Sequence, residues 1–371
     1  MNDNAAMLES ETKQRFASLD GLRGLTIILM ILVNNPGSWG HVYPPFLHAR
    51  WHGCTLTDLV FPFFLFIVGS AMYFSFARQE TKPTRSIVIR IVRRTILIFA
   101  IGSVLHVIAA YTWNTNFRIM GVLQRIALAY GAAAFILLFA KRASIVLACA
   151  AGLVLVYWAL LVLFGGDAPY SREHNAVRKL DLFLLGAKQM YTVGGMSFDP
   201  EGLLSTLPSV SSVLLGFEAT RFLKSQSNQL SSVVMLVAIG AVCIAAGWAW
   251  GFIWPVNKAL WTGSFVVLTT GWALVMLSLF VCLMDICGFQ FQPLQAFGMN
   301  PLFLYVFSWL WMTGYHWIKI DGVSLFTIVF GFFLGGEEPS QAASFLFAIS
   351  HVGLFWIFAT LLYRNRIVIK V

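Results

Sequence analysis

The chain has 371 residues, 58% hydrophobic and 11% charged, with a formal net charge of +9 and a mean hydropathy of +0.77. A soluble domain carries roughly a quarter charged residues, whereas apolar runs near the ~20 residues that cross a bilayer recur here. The runs are continuous rather than alternating, which excludes a β-barrel. The basic residues gather at helix ends, so no nucleic-acid partner is expected.

Met1–Gln14 is polar and lacks the basic start and small-residue cleavage site of a signal peptide. Residues 1–18 are therefore read as a cytoplasmic tail and the first helix as a retained anchor. Helices are predicted over Leu19–Val33, Thr55–Ala77, Ser86–Ala110, Ile119–Ala140 and Ala143–Phe164. A polar outer loop, residues 165–200, follows. Further helices are predicted over Glu201–Leu223, Leu230–Ile253, Leu260–Asp285, Leu294–Trp317 and Ser340–Tyr363. The fold class is all-α, with about ten transmembrane helices in a single domain, residues 19–371. Lys13, Arg15, Arg78, Lys82, Arg85, Lys141, Arg142, Arg221, Lys224, Arg364, Arg366 and Lys370 fall on one side. The short loops opposite carry Arg50, Arg118, Lys258 and Lys319. By the positive-inside rule both termini are cytoplasmic. The apolar segment 323–335 is too short for a straight span and is expected to be interfacial or re-entrant.

Polar groups beside hydrocarbon usually have a task. His41, His48 and His52 crowd the first outer loop; their spacing is not that of a helical ligand pair and no cysteine assists, so no metal is expected. Asp58, at the start of an apolar helix, can orient or charge-balance a nearby imidazole. Asp20 and Arg23 share a helical face, either as an ion pair at the helix start or with Arg23 turned to an anionic ligand. Arg90, Arg93 and Arg94 can snorkel to lipid phosphate. Arg125 lies too deep for that and should face a protein-lined cavity. In Asp199-Pro200-Glu201, capping alone accounts for an Asp N-cap, a Pro at the first helical position and an acid at the positive helix end. Asn257-Lys258-x-x-Trp261 marks an outer helix start, and Gly298-Met299-Asn300-Pro301 loosens the next one. The five cysteines show no Cys-x-x-Cys spacing, and no disulfide is expected.

These motifs are Ser18-Leu19-Asp20-x-x-Arg23-Gly24, Leu32-Val33-Asn34, and His48-Ala49-x-Trp51-x-Gly53-x-Thr55-x-x-Asp58-Leu59-Val60-Phe61-Pro62. After them come Gly121-Val122-Leu123-Gln124-Arg125, Asp199-Pro200-Glu201-Gly202, Asn257-Lys258-x-Leu260-Trp261 and Gly298-Met299-Asn300. In this order they resemble the heparan-α-glucosaminide N-acetyltransferase family of transmembrane acyltransferases, as a compact bacterial member. The resemblance implies a multi-pass inner-membrane enzyme, possible as a homodimer, that takes acetyl from cytoplasmic acetyl-CoA. It delivers the group to a glucosamine-type amine on the periplasmic side. The family's catalytic histidine matches His48 and its asparagine matches Asn34. The loop between them departs from the family, with Pro36, Pro44 and Pro45 where the lysosomal enzyme has a shorter glycine-rich run.

On this reading His48 either acts as general base or itself takes the acetyl group, Asn34 holds the thioester oxygen and Asp58 steadies the imidazole. Arg23, Arg93, Arg94 and Lys224 are candidates for the CoA phosphates, with Arg125 deeper. Asp199, Glu201, Asn257, Lys258, Trp261 and Asn300 are candidates for the sugar. The rivals are an acyltransferase-3-like O-acetyltransferase of envelope glycans and a non-catalytic sugar transporter.

Overall fold

A computed structural model describes residues 17–76, 84–193, 195–226 and 228–369. The Met1–Gln14 segment and the cations Lys13, Arg15, Arg78, Lys82 and Lys370 lie outside the described residues. The helices are α1 (Ala17–Asn34), α2 (Leu56–Phe76), α3 (Arg85–Trp113), α4 (Val122–Phe139), α5 (Ala143–Gly165) and a short α6 (Ala176–Leu184). They continue as α7 (Thr206–Ser225), α8 (Gln229–Trp250), α9 (Gly263–Phe280), α10 (Gln292–Met299), α11 (Pro301–Trp317), α12 (Leu325–Leu334) and α13 (Gln341–Arg364). Two antiparallel two-residue hairpins, β1 (Thr192–Val193) with β2 (Met196–Ser197) and β3 (Lys319–Ile320) with β4 (Val323–Ser324), close two loops.

Among the described residues eight helices are long and apolar enough to span a bilayer. They divide by burial. In α4, 67% of the apolar window is inside the bundle, against 17% in α3, so α3 offers its apolar surface to lipid while α4 lies within. The centre is α2 against α7. A Cβ on Gly69 would overlap the Val213 carbonyl, and one on Gly216 would overlap that of Phe66. Only glycine lets these two backbones meet, the small-residue packing that drives helix association where no water is expelled. Ser70 then donates to the Gly216 carbonyl at 3.1 Å.

Two of the ten expected spans are not among these eight, and others begin later than expected. α7 begins at Thr206 rather than Glu201 and carries Glu218, Arg221 and Lys224 within a largely buried, serine-rich helix. The span expected over Leu294–Trp317 is interrupted. Pro301 has no N–H and disfavours helical geometry in the residue before it; Asn300 accordingly sits at φ −129°, ψ 55° between α10 and α11. α4 begins at Val122, not Ile119, and α9 begins at Gly263, not Leu260, because Trp261 takes a left-handed φ of 51°. The segment 323–335, expected to be interfacial or re-entrant, holds strand β4 and α12.

Candidate active site

Asp58 occupies the first turn of α2 and is 1% exposed. Its Oδ2 accepts backbone N–H groups from Ala49 and Thr55, each at 3.0 Å, which draws the loop over the helix start. Its Oδ1 lies 2.7 Å from His48 Nδ1. A carboxylate only accepts, so Nδ1 carries a proton, and in the neutral ring the lone pair is then on Nε2. The imidazole is half exposed, and that exposure is to a cavity. Lys258 Nζ approaches the same ring edge, 3.1 Å from Nδ1 and 3.5 Å from Asp58 Oδ1. Burial lowers the lysine's pKa, and the charges of Asp58 and Glu201 oppose that shift. The other loop histidines are engaged elsewhere. His41 meets Ser38, and His52 meets Asn257, with burial lowering its pKa. Burial and the Asp58 charge, against Lys258, push the Cys54 thiol up to about 12, leaving it a poor nucleophile.

Glu201 reaches the cavity from a turn that the sequence suggested was helical. Asp199 does not cap α7. It is fully buried, accepts the Glu201 N–H at 2.9 Å, and receives Arg118 Nε and Nη2 at 2.9 and 2.6 Å. The same guanidinium bridges to Glu201 at 2.5 Å and lies over the Tyr191 ring. Burial disfavours its charge, but the hydrogen bonds and fields of Asp199 and Glu201 outweigh that and raise its pKa. For Glu201, burial likewise works against the charge, while Arg118, Arg125 and Lys258 hold the carboxyl below its usual range. Beneath the turn, Asp181 Oδ1 accepts the Leu203 N–H at 3.0 Å.

Three adjoining cavities run through the bundle. The largest, about 950 Å³, is lined by aromatics including Trp51, Trp113 and Trp309, with Arg50, Arg118 and Arg172. A narrow one of about 120 Å³ shares Asn34, His48, Val122, Glu201, Lys258 and Tyr305 with it. The narrow cavity shares Phe64, Ile126 and Leu302 with a third, about 420 Å³, which reaches Arg23 and Arg94. Asn34 and His48 thus stand at the neck.

Several candidates are placed elsewhere. Arg125 is fully buried, donates to the Gly202 carbonyl and Ser205 Oγ, and lies over the Trp261 ring. It lines none of these cavities; it braces the Glu201 turn, because a buried guanidinium takes whichever acceptors surround it. Trp261 is 1% exposed, edge-on to Phe61 and Phe265, so it is a core residue rather than a sugar platform. Asn257 is buried, and its Oδ1 accepts the Leu260 N–H at 2.8 Å, shaping the loop that presents Lys258. Asn300 lines none of these cavities and pairs with residues 367 and 369. Of the candidate phosphate contacts, Arg23 and Arg94 line the third cavity. Arg93 is exposed outside it, and Lys224 lies 6.0 Å from the Phe74 ring. Arg118 and Tyr305 were missed as site residues; the one signal for Arg118 was a lone cation in a short outer loop.

The family model described as heparan-alpha-glucosaminide N-acetyltransferase, catalytic, matches residues 15–245, which include Asn34, His48, Asp58 and Glu201; Lys258 lies beyond the match. The human heparan-alpha-glucosaminide N-acetyltransferase is 28% identical over 353 residues, covering 79% of this chain and 52% of the human protein. The mouse protein of that name is 26% identical over 351 residues, covering 79% and 53%. The chain therefore spans about half the length of these curated relatives. With the match extending over most of its length, this chain belongs to the heparan-α-glucosaminide N-acetyltransferase catalytic family.

Proposed function

We propose that the protein is a membrane-embedded N-acetyltransferase, moving acetyl from acetyl-CoA to the amine of a glucosamine-type sugar. The observation that carries this reading is the His48 imidazole, tied to buried Asp58, at the neck of cavities that reach Arg23 and Arg94 on one side and an aromatic-lined vestibule on the other. Arg23 and Arg94 suit phosphate oxygens, and the narrow apolar neck suits a pantetheine arm. The Trp-rich vestibule suits a sugar, and Glu201 in its lining, held by Arg118, offers a hydrogen-bond acceptor.

An ammonium has no lone pair, so the amine must lose a proton before it attacks. That first proton goes to water; as the nitrogen attacks, His48 Nε2, with Lys258 Nζ 3.5 Å away, takes the second, and the Asp58 carboxylate faces the resulting imidazolium. The new C–N bond forms as the thioester C–S bond breaks, and the imidazolium proton goes to the departing thiolate. In the second route Nε2 attacks the thioester first and the C–S bond breaks to release the thiolate; the neutral amine then attacks the acetyl-imidazole, the bond to Nε2 breaks, and the amine's proton ends on the thiolate. In both, the Asn34 amide donates to the carbonyl oxygen as negative charge builds there. Both termini on the cytoplasmic side of a bacterial inner membrane, with acetyl-CoA entering from that side, complete the reading; a homodimer is its expected assembly.

The test is product chemistry with purified protein, radiolabelled acetyl-CoA and glucosamine. A base-stable amide is expected, and His48→Ala should abolish it while the protein stays folded, because Asp58 keeps the Ala49 and Thr55 N–H groups and Lys258. Asn34→Ala should cost about 10²–10³ in kcat, the usual effect of one lost oxyanion donor. A base-labile ester would identify O-acetylation instead. Uptake of unmodified sugar without label transfer would identify transport.

A further inference from the structure

The break at Asn300 does something that neither neighbouring helix requires. The side chain is 2% exposed. Its Nδ2 donates to the Ile367 carbonyl at 2.9 Å, and its Oδ1 accepts the Ile369 N–H at 2.8 Å. This is the two-bond pairing that a neighbouring strand would give, supplied by one amide side chain. Beyond α13 the chain is thereby folded back onto the α10–α11 break, and Ile369 forms part of the wall of the third cavity beside Arg23, Arg94 and Tyr130.

The same break governs a second part of that wall. Arg23 donates to the Gly298 carbonyl at 3.2 Å as well as to Asp20. A Cβ on Gly298 would overlap the Asp20 carbonyl, so this stretch is pressed directly on α1. Residues 298–300 therefore hold both the cation and the returning segment at one mouth.

We propose that Asn300 is a positioning residue that pins residues 367–369 as a strap across the Arg23 mouth, and that the strap controls passage of a phosphate-bearing thioester into the cavity. The identity of that ligand rests on the function proposed above; the strap itself does not. A buried amide that satisfies one backbone donor and one backbone acceptor holds a segment without side-chain packing, so the hold can be released locally. The half-exposed Ile369 side chain then leaves the wall with its backbone.

Accessibility tests the strap independently of any acyl chemistry. Ala71 lines the same cavity and is only partly exposed, and an Ala71→Cys reporter in the full chain in membranes can be labelled with a water-soluble maleimide and read by peptide mass. Asn300→Ala removes the clamp from one side; Ile369→Pro removes the N–H donor from the other and leaves Asn300 intact. Each should raise the labelling rate about tenfold, and the double variant should go no further, because both cut one connection. Unchanged labelling in both, or effects that multiply, would overturn the strap. For transfer, each variant should raise KM for acetyl-CoA about tenfold, with acceptor KM and kcat within about twofold. Faster labelling with an unchanged acetyl-CoA KM would leave the strap standing and overturn its control of the donor.

Discussion

Arg118 shows how one side chain can hold a site that its own position in the sequence does not announce. Its guanidinium satisfies Asp199 and Glu201 together, so removing it leaves two carboxylates crowded in a buried turn. Breaking one partner of a buried charge network costs about 3–5 kcal/mol. Arg118→Met is therefore expected to lower stability by that order in chemical denaturation and to raise acceptor KM; an unchanged unfolding midpoint would contradict the strut. Asp181 offers a pH readout in the same turn. Burial raises its pKa to about 7, and the Asp199 charge adds to the shift, while the Leu203 N–H and Arg125 oppose it. An acid raised in the folded state binds more protons there than in the unfolded chain, so its stabilising contribution is complete below about pH 4. That contribution is lost as pH rises through 7. Asp181→Asn should flatten the fall in melting temperature over that window, and an unchanged pH profile would show that the carboxyl titrates normally. His48, Asp58 and Asn34 could be singled out together because they lie within 25 consecutive positions, from the end of one helix to the first turn of the next. Arg118 could not, because its carboxylate partners Asp199 and Glu201 are 81 and 83 residues away in sequence, and Tyr305 could not, because it reaches the His48 cavities from a helix distant in sequence.

At the scale of helices, hydrophobic runs located the spans well because each must satisfy its own backbone in lipid. The ends were read less well, for reasons visible at each one. Glu201 reads as the first turn of α7, but Arg118 and Arg125 hold residues 199–205 as a turn, so the helix starts later. Trp261 reads as an interfacial aromatic, yet it packs on Phe61 and under Arg125; burial of that kind depends on which helices are neighbours. Glycines carry a similar hidden instruction. Gly69 and Gly216 let α2 and α7 touch backbone to backbone, and α2 begins at Asp58's turn. Gly216→Leu should force the pair apart, with loss of folded protein in detergent by size-exclusion and loss of transfer together. A well-folded, active Gly216→Leu variant would contradict close packing as the site's foundation.

For the whole molecule, the polar residues that line the three cavities gather at two places. One is the neck formed by Asn34, His48, Asp58, Glu201 and Lys258; the other is the mouth formed by Arg23, Arg94 and the pinned residues 367–369. The apolar cavity between them explains the expense of keeping charged groups inside such a chain. It also gives His48 a role that a one-sided enzyme would not need: on the proposed reading, the donor arrives from one face and the acceptor from the other. Sided transfer tests this most directly. Protein in sealed vesicles of known orientation is given radiolabelled acetyl-CoA on the Arg23 face and glucosamine on the His48 face. The expected result is acetylated sugar on the His48 face, absent with His48→Ala and absent when the two substrates exchange sides. Label appearing only on sugar that shares a compartment with acetyl-CoA would contradict transfer through the bundle.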